Sequence, residues 1–289
     1  MKRQAPMRLW YTAPAPTVNE GNASYQNNHP LAGWEKWSLP IGNAYFGASV
    51  FGRVETERIN INENSLANPA VWGVPFKQGN GGTRTFGDIL IDTDHAAYTD
   101  YVRDLVLDDA TAHVSYRVGG VAYERTYLTS YPDRVLAVRL TASEKGKLSF
   151  VCRLHIPFIG EDCVTAGDGY GKTGEVVAQG DRLIMRGVST YYRILYEGQL
   201  RVQTVGGTVC YRDGGAYVEG ADEATVLFVC GTNYKWRRAS SRSAIRKRSL
   251  RPIPIRTRCS PSAWMRRMKR RGRRCTRATC VTIGRSTVV

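Results

Sequence analysis

TAHVSYRVGGVAYERTYLTSY, residues Thr111–Tyr131, is two runs of alternating apolar and polar residues joined at Gly119-Gly120. A period of two sends successive side chains to opposite faces, so one face can be buried while the other meets water. A Gly-Gly pair between two such runs signals a two-residue type I′ turn, which needs φ > 0 at both central positions. The stretch is predicted to be a β-hairpin.

The same pattern continues on both sides. Before the hairpin come Tyr45–Val54, Thr56–Asn62, Gly87–Asp92 and Arg103–Leu107; after it come Arg134–Ala142, Lys147–Ile156, Glu175–Ala178, Arg182–Val188, Tyr191–Val205, Thr208–Arg212, Tyr217–Glu219 and Ala224–Gly231. These runs are rich in Val, Ile, Tyr and Thr and are broken by Gly and Asp. No helical periodicity persists for about a dozen residues. Strands at roughly 8–12-residue spacing predict an all-β fold, a large antiparallel sandwich spanning residues 39–235. Residues 1–38, rich in Pro, Asn, Gly and Trp, are expected to be an irregular opening segment.

Residues 236–289 differ in kind. They hold 18 of the 41 Lys and Arg and none of the 25 Asp and Glu, which leaves 23 basic against 25 acidic groups in the body. The formal charge of +16 therefore belongs to the tail. Its few apolar residues share no face, so burial cannot offset ordering entropy, and a disordered basic tail is expected. Arginine runs could grip phosphate, but nucleic-acid arms interleave aromatics, and only Trp236 and Trp264 stand here. GC-rich coding DNA read in a shifted frame gives this acid-free mixture of Arg, Ser, Thr and Ala. The tail after Lys235 is read as the product of a frameshift or of a mispredicted gene.

The start, MKRQAPMRLWY, lacks the roughly 7–15-residue apolar stretch of a signal peptide, and nothing approaches the ~20 apolar residues of a membrane span. A cytoplasmic location without a membrane partner is expected.

Several patterns could carry chemistry. Gly167–Gly174, GDGYGKTG, imitates a phosphate-binding loop through Gly171-Lys172-Thr173, but Ala166 stands where the first glycine is required. The following EVVAQGDRLIM reads as strand-turn-strand where a helix is needed, so a plain loop is expected. His29, His95, His113 and His155 lack metal-ligand spacing, and Cys152, Cys163, Cys210 and Cys230 form neither a zinc pattern nor a disulfide framework. Cys230, closing an apolar run, is expected to be a buried reduced thiol. Asp92/Asp94 and Asp108/Asp109 at strand ends suit turns. No metal or cofactor is expected. Asn62-Glu63-Asn64 could hold a sugar hydroxyl or an oxyanion, although a network locking a turn is the weightier reading. Trp10, Trp34, Trp37 and Trp72 could stack on sugars, although core packing is the commoner use.

Eight motifs in order resemble one family: LWYTAPA (Leu9–Ala15), WEKWSLPIGN (Trp34–Asn43), FGASVFG (Phe46–Gly52), ERININENSL (Glu57–Leu66), FGDILID (Phe86–Asp92), YVRDLVLDDATAHVSY (Tyr101–Tyr116), YERTYLTSYPDRVLAVRLTA (Tyr123–Ala142) and VEGADEATVLFVCGTNYK (Val218–Lys235). Together they are similar to the N-terminal domain of glycoside hydrolase family 95. Ala44 stands where members commonly carry glycine, and Ala67 where they often carry tryptophan; loss of that tryptophan implies a different pocket if it lines the sugar site.

The resemblance implies a β super-sandwich joined by a helical linker to an (α/α)6 barrel, in an α-L-fucosidase or α-L-galactosidase. It implies hydrolysis with inversion, which uses an acid and a base about 6.5–9.5 Å apart with a water between. Protein carboxylates supply both proton transfers without a metal. In relatives those groups belong to the barrel, and no residue here matches them, so no catalytic residue is assigned and the chain alone is expected to be inactive. Asn62, Glu63, Asn64 and Trp34 remain candidates for substrate-side or interface contacts. The implied partners are the helical catalytic domain and, through it, a glycan. Two alternatives stand beside this reading: a free-standing carbohydrate-binding sandwich, and a nucleic-acid binder acting through the tail.

Overall fold

Thr111–Val118 pairs antiparallel with Val121–Ser130, and Gly119 and Gly120 turn the chain with φ of 56° and 87°. The hairpin read from the sequence is therefore present, with positive φ at both central residues. The computed structural model describes residues 7–16, 34–68, 82–157, 172–189 and 193–235. The tail 236–289, His29, Trp72 and Cys163 lie outside the described residues.

In chain order the elements are β1 (Arg8–Tyr11), a short helix α1 (Trp34–Trp37), β2 (Leu39–Gly42), β3 (Phe46–Val50), β4 (Thr56–Asn68), β5 (Gly82–Asp92), β6 (Thr99–Val106), β7 (Thr111–Val118), β8 (Val121–Ser130), β9 (Val135–Ala142), β10 (Leu148–His155), β11 (Lys172–Gln179), β12 (Arg182–Ser189), β13 (Ile194–Val205), β14 (Thr208–Arg212), β15 (Gly215–Ala221) and β16 (Glu223–Thr232). Two sheets form. One has nine strands in the order β1-β6-β7-β8-β9-β16-β13-β12-β11, the other seven in the order β14-β15-β10-β5-β4-β3-β2. Neighbouring strands pair antiparallel, and the protein is an all-β sandwich.

The alternation seen in the sequence is what lets the sheets pack. On β8, Val121, Tyr123 and Tyr127 point inward while Glu124 faces solvent. Val138 and Leu140 on β9, Val226 and Phe228 on β16, and Ile59 and Ile61 on β4 fill the same layer. Phe86 meets Tyr196 edge-on at 5.3 Å between ring centroids, an arrangement that suits the ring quadrupoles.

Three segments depart from the sequence reading. The opening segment, expected to be irregular, supplies β1 and α1. β1 was hidden because all four of its residues are exposed, so no alternation marks it. β2 was hidden by Pro40, which cannot donate to a ladder but is tolerated on an edge strand such as this one. Of the GDGYGKTG stretch expected to be a loop, residues 167–171 lie outside the described residues, while Lys172, Thr173 and Gly174 belong to β11, paired with Ser189, Val188 and Gly187. Strand-turn-strand over EVVAQGDRLIM is present as β11 and β12. Among the described residues no helix is long and apolar enough to cross a membrane.

Candidate functional site

Asn62-Glu63-Asn64 sits inside β4, where the ladder to β5 is broken. Asn62 is opposite Thr85 and Ala67 opposite Thr83, so four residues of β4 bulge against one of β5. Bulging strips Ser65 and Leu66 of ladder partners, and Glu63 replaces them. Its Oε2 accepts from Ser65 N at 2.9 Å and Leu66 N at 3.1 Å, and Ser65 Oγ donates to the same carboxylate at 2.7 Å. Ser65 Oγ also bonds Thr232 Oγ1 on β16, which ties the bulge to the other sheet. Asn62 Nδ2 donates to Asn60 Oδ1 at 3.0 Å, while Asn64 Nδ2 donates to Ala44 O. The three side chains thus serve three different contacts. Trp34 opens α1, away from them in sequence and element.

Buried ion pairs that the sequence reading missed lie on both sides of β4. Glu57 on β4 is fully buried, and its carboxylate accepts from Gly52 N at 2.9 Å, Tyr127 Oη at 3.0 Å and Arg125 Nη1 at 3.3 Å. Arg125, buried on β8, also donates to the carbonyls of Arg53 and Val54 and to Tyr116 Oη. Burial pushes the Glu57 carboxyl up, against the pull of the Arg125 charge and the Gly52 amide. On the opposite side of β4, buried Asp88 accepts from Arg58 Nε at 3.1 Å and Asn60 Nδ2 at 2.7 Å, and pairs with His155 Nδ1 at 3.3 Å. Burial works to raise the Asp88 carboxyl, but the His155 hydrogen bond, the Arg58 charge and Asn60 together hold it below its ordinary value. A signal did exist: Arg125 occupies an inward slot between Tyr123 and Tyr127, and a charge there demands a partner.

The remaining polar candidates have structural partners. His95 Nδ1 lies 2.9 Å from Tyr116 Oη, and His113 Nδ1 lies 2.7 Å from Asp104 Oδ1. Lys172, the would-be phosphate lysine, is buried and donates to the carbonyls of Thr85 and Phe86. Asp109 caps the turn into β7 through Thr111 N and Oγ1, and Asp92 bonds Thr56 and Arg153. Cys230, expected to be a buried reduced thiol, is a free thiol in a partly buried residue; burial and then the Glu63 charge raise its pKa. No cluster of His, Cys, Asp and Glu suited to a metal occurs among the described residues.

Trp10, Tyr11, Thr12, Ala13, Pro14, Trp37 and Arg103 line an open cavity of about 370 Å³. Arg103 builds it. Projecting from β6 and itself only 2% exposed, it donates from Nε to Ala13 O at 3.1 Å and from Nη1 to Trp37 O and to Phe51 O. Its guanidinium lies 4.6 Å from the centroid of the Tyr11 ring. One side chain therefore fixes the end of β1 and the end of α1 against each other. Core packing, the commoner fate of tryptophan, does not describe Trp10 or Trp37, which are 59% and 36% exposed. The cavity is lined by three aromatic side chains and no carboxylate. The buried acids among the described residues, Glu57, Glu63, Asp88 and Asp104, are each held by the partners above or, for Asp104, by Arg8 and His113. The arrangement can bind, but it shows no acid and base facing one open site.

A family model described as glycosyl hydrolase family 65, N-terminal domain, matches residues 9–68 and 71–237. Alpha-L-fucosidase 2 of Arabidopsis thaliana is 31% identical over 160 residues, covering 42% of this chain and 18% of that protein. A solved structure from human microbiome, provisionally named a kojibiose phosphorylase, aligns with a TM-score of 0.47 and 14% identity over 81% of this chain and 35% of that one. The chain thus spans under a fifth of the fucosidase and about a third of the other protein.

Proposed function

The chain belongs to the family of glycosyl hydrolase family 65 N-terminal domains, and on that premise we propose that it forms the N-terminal sandwich of an α-L-fucosidase-like enzyme of glycoside hydrolase family 95. The observation that carries the finer reading is the identity shared with Alpha-L-fucosidase 2. In this reading the whole enzyme hydrolyses terminal α-linked fucosyl or galactosyl sugars with inversion. Its acid and base, with room for a water between them, stand on a helical catalytic domain beyond this chain. The buried carboxylates described above support that division, since hydrogen bonds and ion pairs already commit them to holding the sandwich together. The sandwich contributes a fixed wall against which the helical domain sets its cleft.

The test is hydrolysis of 4-nitrophenyl α-L-fucopyranoside. The purified chain alone is expected to release no nitrophenol. A chimera carrying residues 9–237 in place of the matching segment of Alpha-L-fucosidase 2 is expected to hydrolyse it. Release by the chain alone, or a folded chimera without activity, sinks the reading.

A further inference from the structure

We propose that the cavity between the end of β1 and the end of α1 is a binding site for the pyranose ring of a glycan. Large aromatic side chains carry a heavy hydrophobic load, and a group of them left in water usually marks a surface with a use. Here Trp10, Tyr11 and Trp37 are all more than a third exposed around one cavity. They are also held in place. Arg103 fixes the backbone beside Tyr11 through Ala13 O and beside the third ring through Trp37 O, so a ligand meets walls already ordered. Pre-ordering removes part of the entropic cost of binding.

The chemistry of the walls selects the occupant. A metal cation is excluded for want of a carboxylate in the lining, and an anion is disfavoured because Arg103 turns its donors to three carbonyls and stacks on Tyr11. What remains is a set of exposed aromatic side chains, Trp10, Tyr11 and Trp37, beside the exposed Thr12, with Ala13 and Pro14 completing the lining. A pyranose has a matching surface: one face of C–H groups to lie on an indole, and a rim of hydroxyls for polar neighbours. The cavity volume of about 370 Å³ falls at the lower end of the roughly 300–1,000 Å³ usual for small-molecule sites. The site stands on these side chains alone, independently of the fucosidase reading.

Saturation-transfer NMR on the full chain tests it, with methyl α-L-fucopyranoside and methyl β-D-galactopyranoside as probes and mannitol as an acyclic control. Saturation is expected to reach C–H protons on one face of a pyranoside and to pass mannitol by. W10A and W37A should each weaken the transfer about three- to tenfold, the worth of one aromatic contact. W10F, which keeps a ring, should lose less than W10A. Both tryptophans are exposed, so the strand signal in circular dichroism should be unchanged, and should W10A fail to fold, W10F and W37A carry the test. Transfer to neither pyranoside, equal transfer to mannitol, or transfer indifferent to both tryptophans overturns the site. Such a failure would leave nitrophenol release by the chimera untouched, so the two proposals fall separately.

Discussion

Ala44 has φ of 68° in the turn between β2 and β3, where a Cβ crowds the following carbonyl at a cost of about 1–2 kcal/mol. The turn persists because Asn43 Oδ1 accepts from both Tyr45 N and Phe46 N at 3.1 Å, and Asn64 Nδ2 holds Ala44 O. The family resemblance commonly places glycine at this position, and the backbone gives the reason. A44G is expected to raise unfolding free energy by about 1 kcal/mol, read as a higher urea midpoint at unchanged slope; a lower midpoint would show that the turn is not strained. Arg125 makes the opposite case. R125M leaves the buried Glu57 carboxyl without its charge partner, beside Gly52 N and Tyr127 Oη, and should cost about 3–5 kcal/mol in the same assay. Arg125 was visible in the sequence as a charge in an apolar slot, but Glu57 lies 68 residues earlier, and no local pattern links two positions that meet only when the sheets stack.

Elements were legible to the extent that their signal was local. The β7–β8 hairpin needed only its own alternation and two glycines. β1 needed β6, which is some 90 residues away and supplies the ladder that its own exposed side chains do not announce. β4 was read as ending at Asn62 because the next residues are polar; the strand in fact runs on to Asn68 through a bulge that Glu63 closes. Trp10 and Trp37 were recognisable by type as candidate sugar platforms, whereas their convergence depended on Arg103, a residue with no signature. The bulge also decides what Glu63 is for. E63Q removes a charged acceptor from Ser65 N and Leu66 N and should lower stability by about 1–3 kcal/mol. Unchanged stability in E63Q would remove Glu63 from the bulge-locking role and return it to the list of ligand contacts.

Across the whole molecule, stability against acid sums buried groups whose proton affinities move in opposite directions. Asp88 is held below its ordinary value of 3.8, so its contribution is complete above that pH and is lost as pH falls through the lower folded value. Glu57 is raised above 4.5, so its contribution is complete below that pH and is lost as pH rises through the folded value. His95 governs the window nearest neutrality. Its ring sits against Tyr123 and Tyr116, with Arg125 behind and the exposed Asp94 in front. Burial first and the Arg125 charge second lower its pKa from 6.5, Asp94 opposing. The unfolded chain therefore takes up this proton before the folded one does. Stability from His95 is complete above about pH 6.5 and drains away as pH drops through the folded value. Glu57 shifts in the opposite direction, so a single pH titration of the wild type mixes the two. Comparison with H95N separates them, because asparagine keeps a neutral partner for Tyr116 and leaves Glu57 in place. Urea unfolding at pH 7, 6 and 5 should show the wild type losing ground to H95N at each step. A gap between the two that stayed constant with pH would mean that His95 titrates alike in the folded and unfolded chain, and that the tyrosine pocket does not exclude its charge.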